Sequence, residues 1–230
     1  MLSTRARHSP EGRGAGRAAA LGRRFKNWLS SDLSGGSRGS GGAGAAAPSD
    51  RPRRLRDRGY GGVTRMLAVV LLPVALVAAP RRALQVACQW ALAARFPTEN
   101  LAGLTPATRA AFTAARTRAL WRDGEVVGLT SGYRDLAEQE RLFAEEVRGS
   151  GSAAAARARA LPPHESRHVA GTALDVRPVA GARWLERHGS RYHLYRMYDN
   201  EWWHFEYCPD DPPRRLPHPG MSHSDPSHSE

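Results

Sequence analysis

Three short segments contain residue types that can carry out hydrolytic chemistry: SGYR (131–134), SRHVAGTALD (166–175) and EWWH (201–204). Taken singly, each also fits an ordinary turn, a solvated histidine or a carboxylate at a strand end. Two histidines and one aspartate together can hold zinc and leave a position open for water. A glutamate that is not a ligand could then take the proton of that water, and an arginine could stabilise the developing oxyanion.

Side-chain alternation in the second segment indicates which residues would face such a site. If the chain is extended from Gly171, small residues and Asp175 share one face, whereas Leu174 and Val176 lie on the opposite, apolar face. His168 comes just before this strand. A turn near Gly171 could therefore bring His168 beside Asp175.

The segment EWWHFEY (201–207) could be a buried aromatic strand or part of a metal site. Alternation assigns Trp203, Phe205 and Tyr207 to a core face, and Trp202, His204 and Glu206 to the other face. His204 would then face a site, with Glu206 as its supporting partner. Glu201 would point toward the core unless the backbone bends around residues 200–202.

The three segments, in this order, resemble the VanY/VanX-type zinc D-alanyl-D-alanine carboxypeptidases, which have the hedgehog/DD-peptidase fold. The resemblance covers roughly residues 101–207. It implies that Zn²⁺ is the cofactor and that its ligands are His168, Asp175 and His204.

The same resemblance implies the other roles in the site. Glu201 would be the general base and then the general acid. Arg134 would polarise the scissile carbonyl and stabilise the tetrahedral intermediate. Ser166 and Gln139, together with Arg134, would be substrate-binding positions. His164 and His193 lie near the motifs, and we interpret them as bystanders.

The function implied by the resemblance is hydrolysis of the terminal D-alanyl-D-alanine bond of peptidoglycan stem peptides. Cleavage of the same peptides as an LD-carboxypeptidase or endopeptidase remains open, because the shape of the pocket decides it. A non-catalytic, zinc-containing cell-wall-binding module is a further alternative. Such a module would not need Glu201 or Arg134.

Local patterns predict the elements that carry these residues. Helices are predicted at 83–96, 105–124, 135–149, 152–160 and 182–189, and strands at 125–131, 171–178, 191–198 and 202–208. Thr105 and Asp135 are the predicted N-caps of the second and third helices. Helices and strands without regular βαβ alternation predict an α+β fold with a small antiparallel sheet flanked by helices.

Charge divides the chain into unlike parts. The net charge is +12, and residues 1–65 contain 14 basic and 4 acidic residues and 13 of the 23 glycines. This arm cannot bury enough apolar surface to offset its ordering entropy, so we predict disorder there and in the tail, 209–230. The arm lacks stacking aromatics spaced among its arginines, so we expect no specific nucleic-acid binding.

Residues 66–80 resemble a signal-peptide core or a signal anchor. The apolar stretch 66–79 is short for a membrane span, is interrupted by Pro73 and follows an arginine-rich stretch. A buried core helix is the alternative. We expect an exported or membrane-anchored protein that faces the cell wall, with a monomeric zinc peptidase domain over 81–208. Cys88 and Cys208 could form one disulfide, but the sequence does not decide this.

Overall fold

The computed structural model describes residues 51–210 and 213–221. The disorder predicted for residues 1–50 and 222–230 lies outside the described residues. Residues 51–65, which we expected in the arm, instead begin helix α1 (Arg51–Ala78). Arginine is a good helix former, so the helix of the apolar stretch can extend into this basic segment.

Helix α1 packs on one side only. A 3₁₀ turn (Pro80–Arg82) joins it to α2 (Ala83–Arg95). Small buried residues pack between the two helices: Ala68 and Ala75 on α1, and Ala83, Ala87, Cys88 and Ala91 on α2. Large apolar side chains point outward instead, among them Val63, Met66, Val70, Val74 and Val77. The alternative of a buried core helix therefore does not describe α1.

The helices on the site side begin where their capping residues predict. The Thr105 hydroxyl accepts a hydrogen bond from the Thr108 amide, and α3 runs over Pro106–Arg118. A π-helical turn (Ala119–Asp123) continues α3 to Gly124. Asp135 accepts from the Glu138 amide and starts α4 (Leu136–Ser150). The shorter helices are α5 (Ala153–Ala156) and α6 (Val179–His188).

Four short strands form one antiparallel sheet. They are β1 (Gly128–Ser131), β2 (Ala173–Arg177), β3 (Leu194–Arg196) and β4 (His204–Tyr207), in the order β1-β2-β4-β3. The register of β2 and β4 pairs Asp175 with His204 and Ala173 with Glu206. The predicted α+β fold, a small antiparallel sheet flanked by helices, is confirmed.

The core lies on the face of the sheet opposite the polar cluster. Its buried members include Phe112, Leu129, Leu174, Val176, Trp184, Leu185 and Phe205. The face predicted for Trp203 is wrong, because β4 begins only at His204 and residues 202–203 form a turn. Trp202, not Trp203, packs partly buried against the core.

Residues 213–221, which we expected in a disordered tail, are in contact with the domain. We call this segment the C-terminal strap. Leu216 forms a parallel bridge with Tyr198 and is buried beside it and Met197. Cys88 and Cys208 are both free thiols, so the disulfide is not formed. Burial raises the pKa of each thiol to about 11.

Candidate metal centre

Three buried side chains converge at the centre of the sheet. His168, Asp175 and His204 each offer a ligand atom, and these atoms all lie within 4.8 Å of one another. Asp175 and His204 meet because they are directly paired across β2 and β4. His168 arrives from the turn before β2, in which its carbonyl accepts from the Gly171 amide at 3.1 Å. Gly171 adopts φ +70°, a conformation that suits glycine.

The backbone fixes the orientation of the His168 ring. Its Nδ1 lies 2.6 Å from the Gly132 carbonyl oxygen, which can only accept, so Nδ1 carries the proton. Nε2 is then the nitrogen with a lone pair, and it lies 3.3 Å from Asp175 Oδ1. Burial and the nearby Arg134 both lower the pKa of His168. A neutral imidazole is the form that binds a metal ion.

Glu206 holds the ring of His204 from the other side. His204 Nε2 lies 3.0 Å from Glu206 Oε1, and Nδ1 lies 3.1 Å from Asp175 Oδ1. Burial alone would lower the pKa of His204, but its bonds to Asp175 and Glu206 raise it to about 10. With Nε2–H donated to Glu206, Nδ1 faces the cluster, and a metal ion bound there would displace the Nδ1 proton that this raised pKa retains. The support predicted from Glu206 is therefore present, and the ring of Tyr198 stacks on His204 as well.

Arg134 lies directly against Asp175. Its Nη2 donates to Asp175 Oδ2 at 2.5 Å, and its Nε donates to Ser131 Oγ at 2.9 Å. Burial would raise the pKa of Asp175, but His168 and Arg134 hold it well below the usual range. Asp175 is therefore a carboxylate at neutral pH. The buried carboxylate of Asp175 is therefore the anion that Arg134 contacts in this structure.

Glu201 stands just outside the strand, where the predicted backbone bend occurs. The Glu201 carbonyl accepts from the His204 amide at 3.3 Å, which closes a turn over residues 202–203. This turn brings Glu201 Oε2 to 3.8 Å from His204 Nδ1. Burial raises the pKa of Glu201 to about 7, and the charge of His204 partly opposes the shift.

The two remaining predicted residues line the same region. Gln139 is buried, and both ends of its amide are engaged: Oε1 accepts from Arg134 at 3.4 Å and Nε2 donates to the Leu161 carbonyl at 2.8 Å. Ser166 is buried at the start of the turn that carries His168. His164 is an exposed side chain outside the cluster, and His193 packs on Tyr207.

The donor set suits zinc. Two imidazole nitrogens and one carboxylate oxygen are common zinc ligands, and three of them leave a fourth position open. Glu206 and the Gly132 carbonyl fix the two histidine tautomers, as supporting residues do in metal sites. Sequence reasoning missed Tyr198, whose ring stacks on His204, and the C-terminal strap, which bonds to the backbone of residues 197–200.

An α+β domain with a His-Asp-His cluster on an antiparallel sheet is the arrangement that the motifs imply. Residues 104–210 match the family model VanY, D-alanyl-D-alanine carboxypeptidase. The resemblance drawn from the three motifs is therefore confirmed for this segment.

Two solved structures are also similar to this chain. One is the structure of the LdcB LD-carboxypeptidase, which reveals the molecular basis of peptidoglycan recognition by that protein. The other is the crystal structure of the L,D-carboxypeptidase DacB from Streptococcus pneumonia. Each is 25% identical, with a TM-score of 0.37, and covers 46% of this chain. The chain spans 65% of the first and 67% of the second. No curated protein matches the chain.

Proposed function

We propose that this protein is a zinc-dependent carboxypeptidase that removes the terminal D-alanine from peptidoglycan stem peptides ending in D-alanyl-D-alanine. The observation that carries the proposal is the convergence of His168, Asp175 and His204, with Glu201 beside them, inside the segment that matches the VanY family model. A binding module would need the metal ligands only. The position of Glu201 beside the cluster, together with its raised pKa, supports a catalytic role.

The ligand atoms would be His168 Nε2, Asp175 Oδ1 and His204 Nδ1. Zinc in such a site acts as a Lewis acid and makes water a nucleophile near neutral pH. Glu206 supports this arrangement because it keeps the proton of His204 on Nε2, away from the ligand position. The Gly132 carbonyl does the same for Nδ1 of His168.

Glu201 would move the proton. Its carboxylate takes a proton from the attacking water as the water oxygen bonds to the carbonyl carbon of the penultimate residue. When the C–N bond breaks, Glu201 gives that proton to the leaving amine of D-alanine. A pKa of about 7 suits both tasks, because a general base works best when its pKa is near the working pH.

Arg134 would stabilise the oxyanion. Its guanidinium is anchored by Asp175 and Ser131. The side chain is 15% exposed, so substrate can still reach it from solvent. A donor fixed in advance stabilises developing charge without reorganising during the reaction. Gln139 would contribute by holding Arg134, since both ends of its amide are already bonded. Ser166 remains a proposed substrate-binding residue.

The test is a pair of stem peptides, a pentapeptide ending in D-alanyl-D-alanine and a tetrapeptide ending in an L,D bond. We expect the purified protein to release D-alanine from the pentapeptide, to lose this activity with a chelator and to regain it with zinc. Release from the tetrapeptide alone would assign LD-carboxypeptidase activity. Internal cleavage of a cross-linked peptide would assign endopeptidase activity. Bound zinc without cleavage of any peptide would favour the binding module.

The proposed location is the outer face of the membrane, with α1 as a retained anchor. Residues Gly59–Ala78 form one helix long and apolar enough to cross a membrane by length and composition, with mean hydropathy 2.0. Small residues inside and large apolar residues outside are typical of helices that face lipid.

A further inference from the structure

The C-terminal strap (213–221) lies beyond the segment that matches the VanY family and pairs with the chain just before Glu201. Three backbone hydrogen bonds join the two segments. The Leu216 amide donates to the Met197 carbonyl at 2.9 Å, and the Asp199 amide donates to the Leu216 carbonyl at 2.9 Å. The Asn200 amide donates to the Pro217 carbonyl at 3.2 Å. The residue next to Glu201 is thus bonded to the strap.

Side chains of the strap strengthen this pairing. Arg215 Nε lies 2.6 Å from Asp199 Oδ1, and its Nη1 lies 2.8 Å from Glu186 Oε1 on α6. Leu216 is buried beside Met197 and Tyr198. Arg215 has two acidic partners and Leu216 is buried, so the strap makes a specific contact with the domain.

The far end of the strap reaches the loop after α5. A Cβ on Gly220 would lie 3.0 Å from the Cβ of Arg157, so the two backbones are in close contact. Asn200 Nδ2 donates to the Ala158 carbonyl at 3.0 Å. Residues 157–158, 199–200 and 217–220 therefore brace one another on the side of the site that carries Glu201.

We propose that the C-terminal strap positions Glu201 and Tyr198 for catalysis, and that Arg215 and Leu216 are the positioning residues. Glu201 precedes β4, so the sheet ladder does not hold it. Tyr198 stacks on His204, and its hydroxyl donates to Glu206 at 3.4 Å. Tyr198 lies within the stretch that the strap holds, and Glu201 follows that stretch directly. The proposal rests on the proposed function, because it assigns the strap to that reaction.

The test compares Arg215→Ala with Arg214→Ala. Arg214 is the matched control, because it is an exposed neighbour of equal charge that forms no ion pair with a described residue. We expect kcat of Arg215→Ala to fall roughly tenfold to hundredfold, because small misplacements of a catalytic group have effects of this size. KM and zinc content should stay at the wild-type values, Arg215→Lys should recover part of kcat, and Leu216→Ala should reproduce the loss.

A second measurement does not depend on activity. Amide hydrogen exchange across residues 197–201 should be faster in Arg215→Ala than in the wild type and Arg214→Ala, with other regions unchanged. The proposal would be overturned if Arg215→Ala and Arg214→Ala exchanged equally across residues 197–201. It would also be overturned if Arg215→Ala exchanged faster there with an unchanged kcat, or if this variant lost zinc and was destabilised globally. If the wild type cleaves no stem peptide, the proposed function fails, and exchange alone still decides whether the strap holds Glu201.

Discussion

Glu201 is the residue whose role depends most on its surroundings. Its carboxylate is buried, and Oε2 lies 3.8 Å from His204 Nδ1. Burial raises the pKa of this carboxyl group to about 7. It sits there because the chain turns at residues 202–203 before β4 begins. Without this turn, an extended chain would place Glu201 on the core face, opposite to His204.

Replacement of Glu201 should separate catalysis from metal binding. We expect Glu201→Gln to lower kcat by roughly a thousandfold, within the range for loss of a general acid and base. Zinc content should stay near that of the wild type, because Glu201 is not a member of the ligand cluster. Peptide kinetics and metal analysis on the same sample measure both. His204→Ala is the control and should lose zinc, and an equal zinc loss in Glu201→Gln would make Glu201 a ligand.

Glu206 should affect zinc affinity without contacting the metal. Its Oε1 accepts from His204 Nε2 at 3.0 Å in a buried setting. We expect Glu206→Ala to weaken zinc binding about 10- to 100-fold, the usual effect of removing a partner of a metal-bound histidine. Glu206→Gln should lose less, because the amide oxygen still accepts. Tyr198→Phe is a control for loss of the hydroxyl, and competition with a chelator gives the Kd. Equal Kd values for Glu206→Ala and wild type would contradict this role.

At the scale of elements, helix α1 docks on the domain through a glycine. A Cβ on Gly61 would lie 1.9 Å from the Gly124 carbonyl oxygen, whereas a Cβ on Gly62 would meet no described atom within 4 Å. Gly124 ends the helical segment after α3. The contact therefore ties α1 to the domain that carries the site.

This close approach gives a matched pair of substitutions. Gly61→Ala should lower the Tm, because backbone must move to admit the methyl group. Gly62→Ala should raise the free energy of unfolding by about 0.5–1 kcal/mol, because alanine suits an exposed helix position better than glycine. Thermal unfolding of both variants decides the matter. Similar shifts in the two proteins would show that α1 is not packed at Gly61.

Elements set by local chemistry could be predicted from the sequence, and elements set by distant partners could not. The caps Thr105 and Asp135 start their helices as predicted because each cap bonds within its own first turn. Strand β3 is shorter than predicted, because residues Gly189–Tyr192 form a 3₁₀ turn and His193 adopts φ 56°. The strap could not be predicted, since its bonds go mainly to backbone groups far away in the sequence.

The ligand cluster could be predicted because two strands and a preceding turn each follow a local pattern. Alternation correctly separated Asp175 from Leu174 and Val176. It failed at Trp203, where the strand had not yet begun. The contact of Arg134 with Asp175 depends on the three-dimensional distance between charges, which the order of the motifs does not contain.

At the scale of the whole molecule, the basic residues and the apolar face of α1 occupy the same end of the chain. Residues 1–65 carry most of the net charge of +12. Val70 and Val74 are 67% and 59% exposed on the outer face of α1. Basic and apolar groups together favour binding to anionic membranes.

Membrane binding can be tested with the full chain and vesicles of phosphatidylglycerol and phosphatidylethanolamine. The wild type should sediment with the vesicles, and the double variant Val70→Asp, Val74→Asp should stay largely in the supernatant. Leu136→Asp, which changes an exposed leucine on α4, is the control and should sediment like the wild type. If the double variant bound equally well, the anchor role of α1 would be wrong. If neither protein bound vesicles, and the wild type formed a dimer that the double variant did not form, the apolar face of α1 would be assigned to self-association.

The central claim is that His168, Asp175 and His204 hold one zinc ion that the proposed reaction requires. The most direct measurement is a zinc titration of metal-stripped protein, with D-alanine release from the stem pentapeptide as the signal. The account predicts almost no release without zinc, a linear rise and a plateau at one equivalent per chain. Full release from the stripped protein, or a rise with no break at one equivalent, would contradict it.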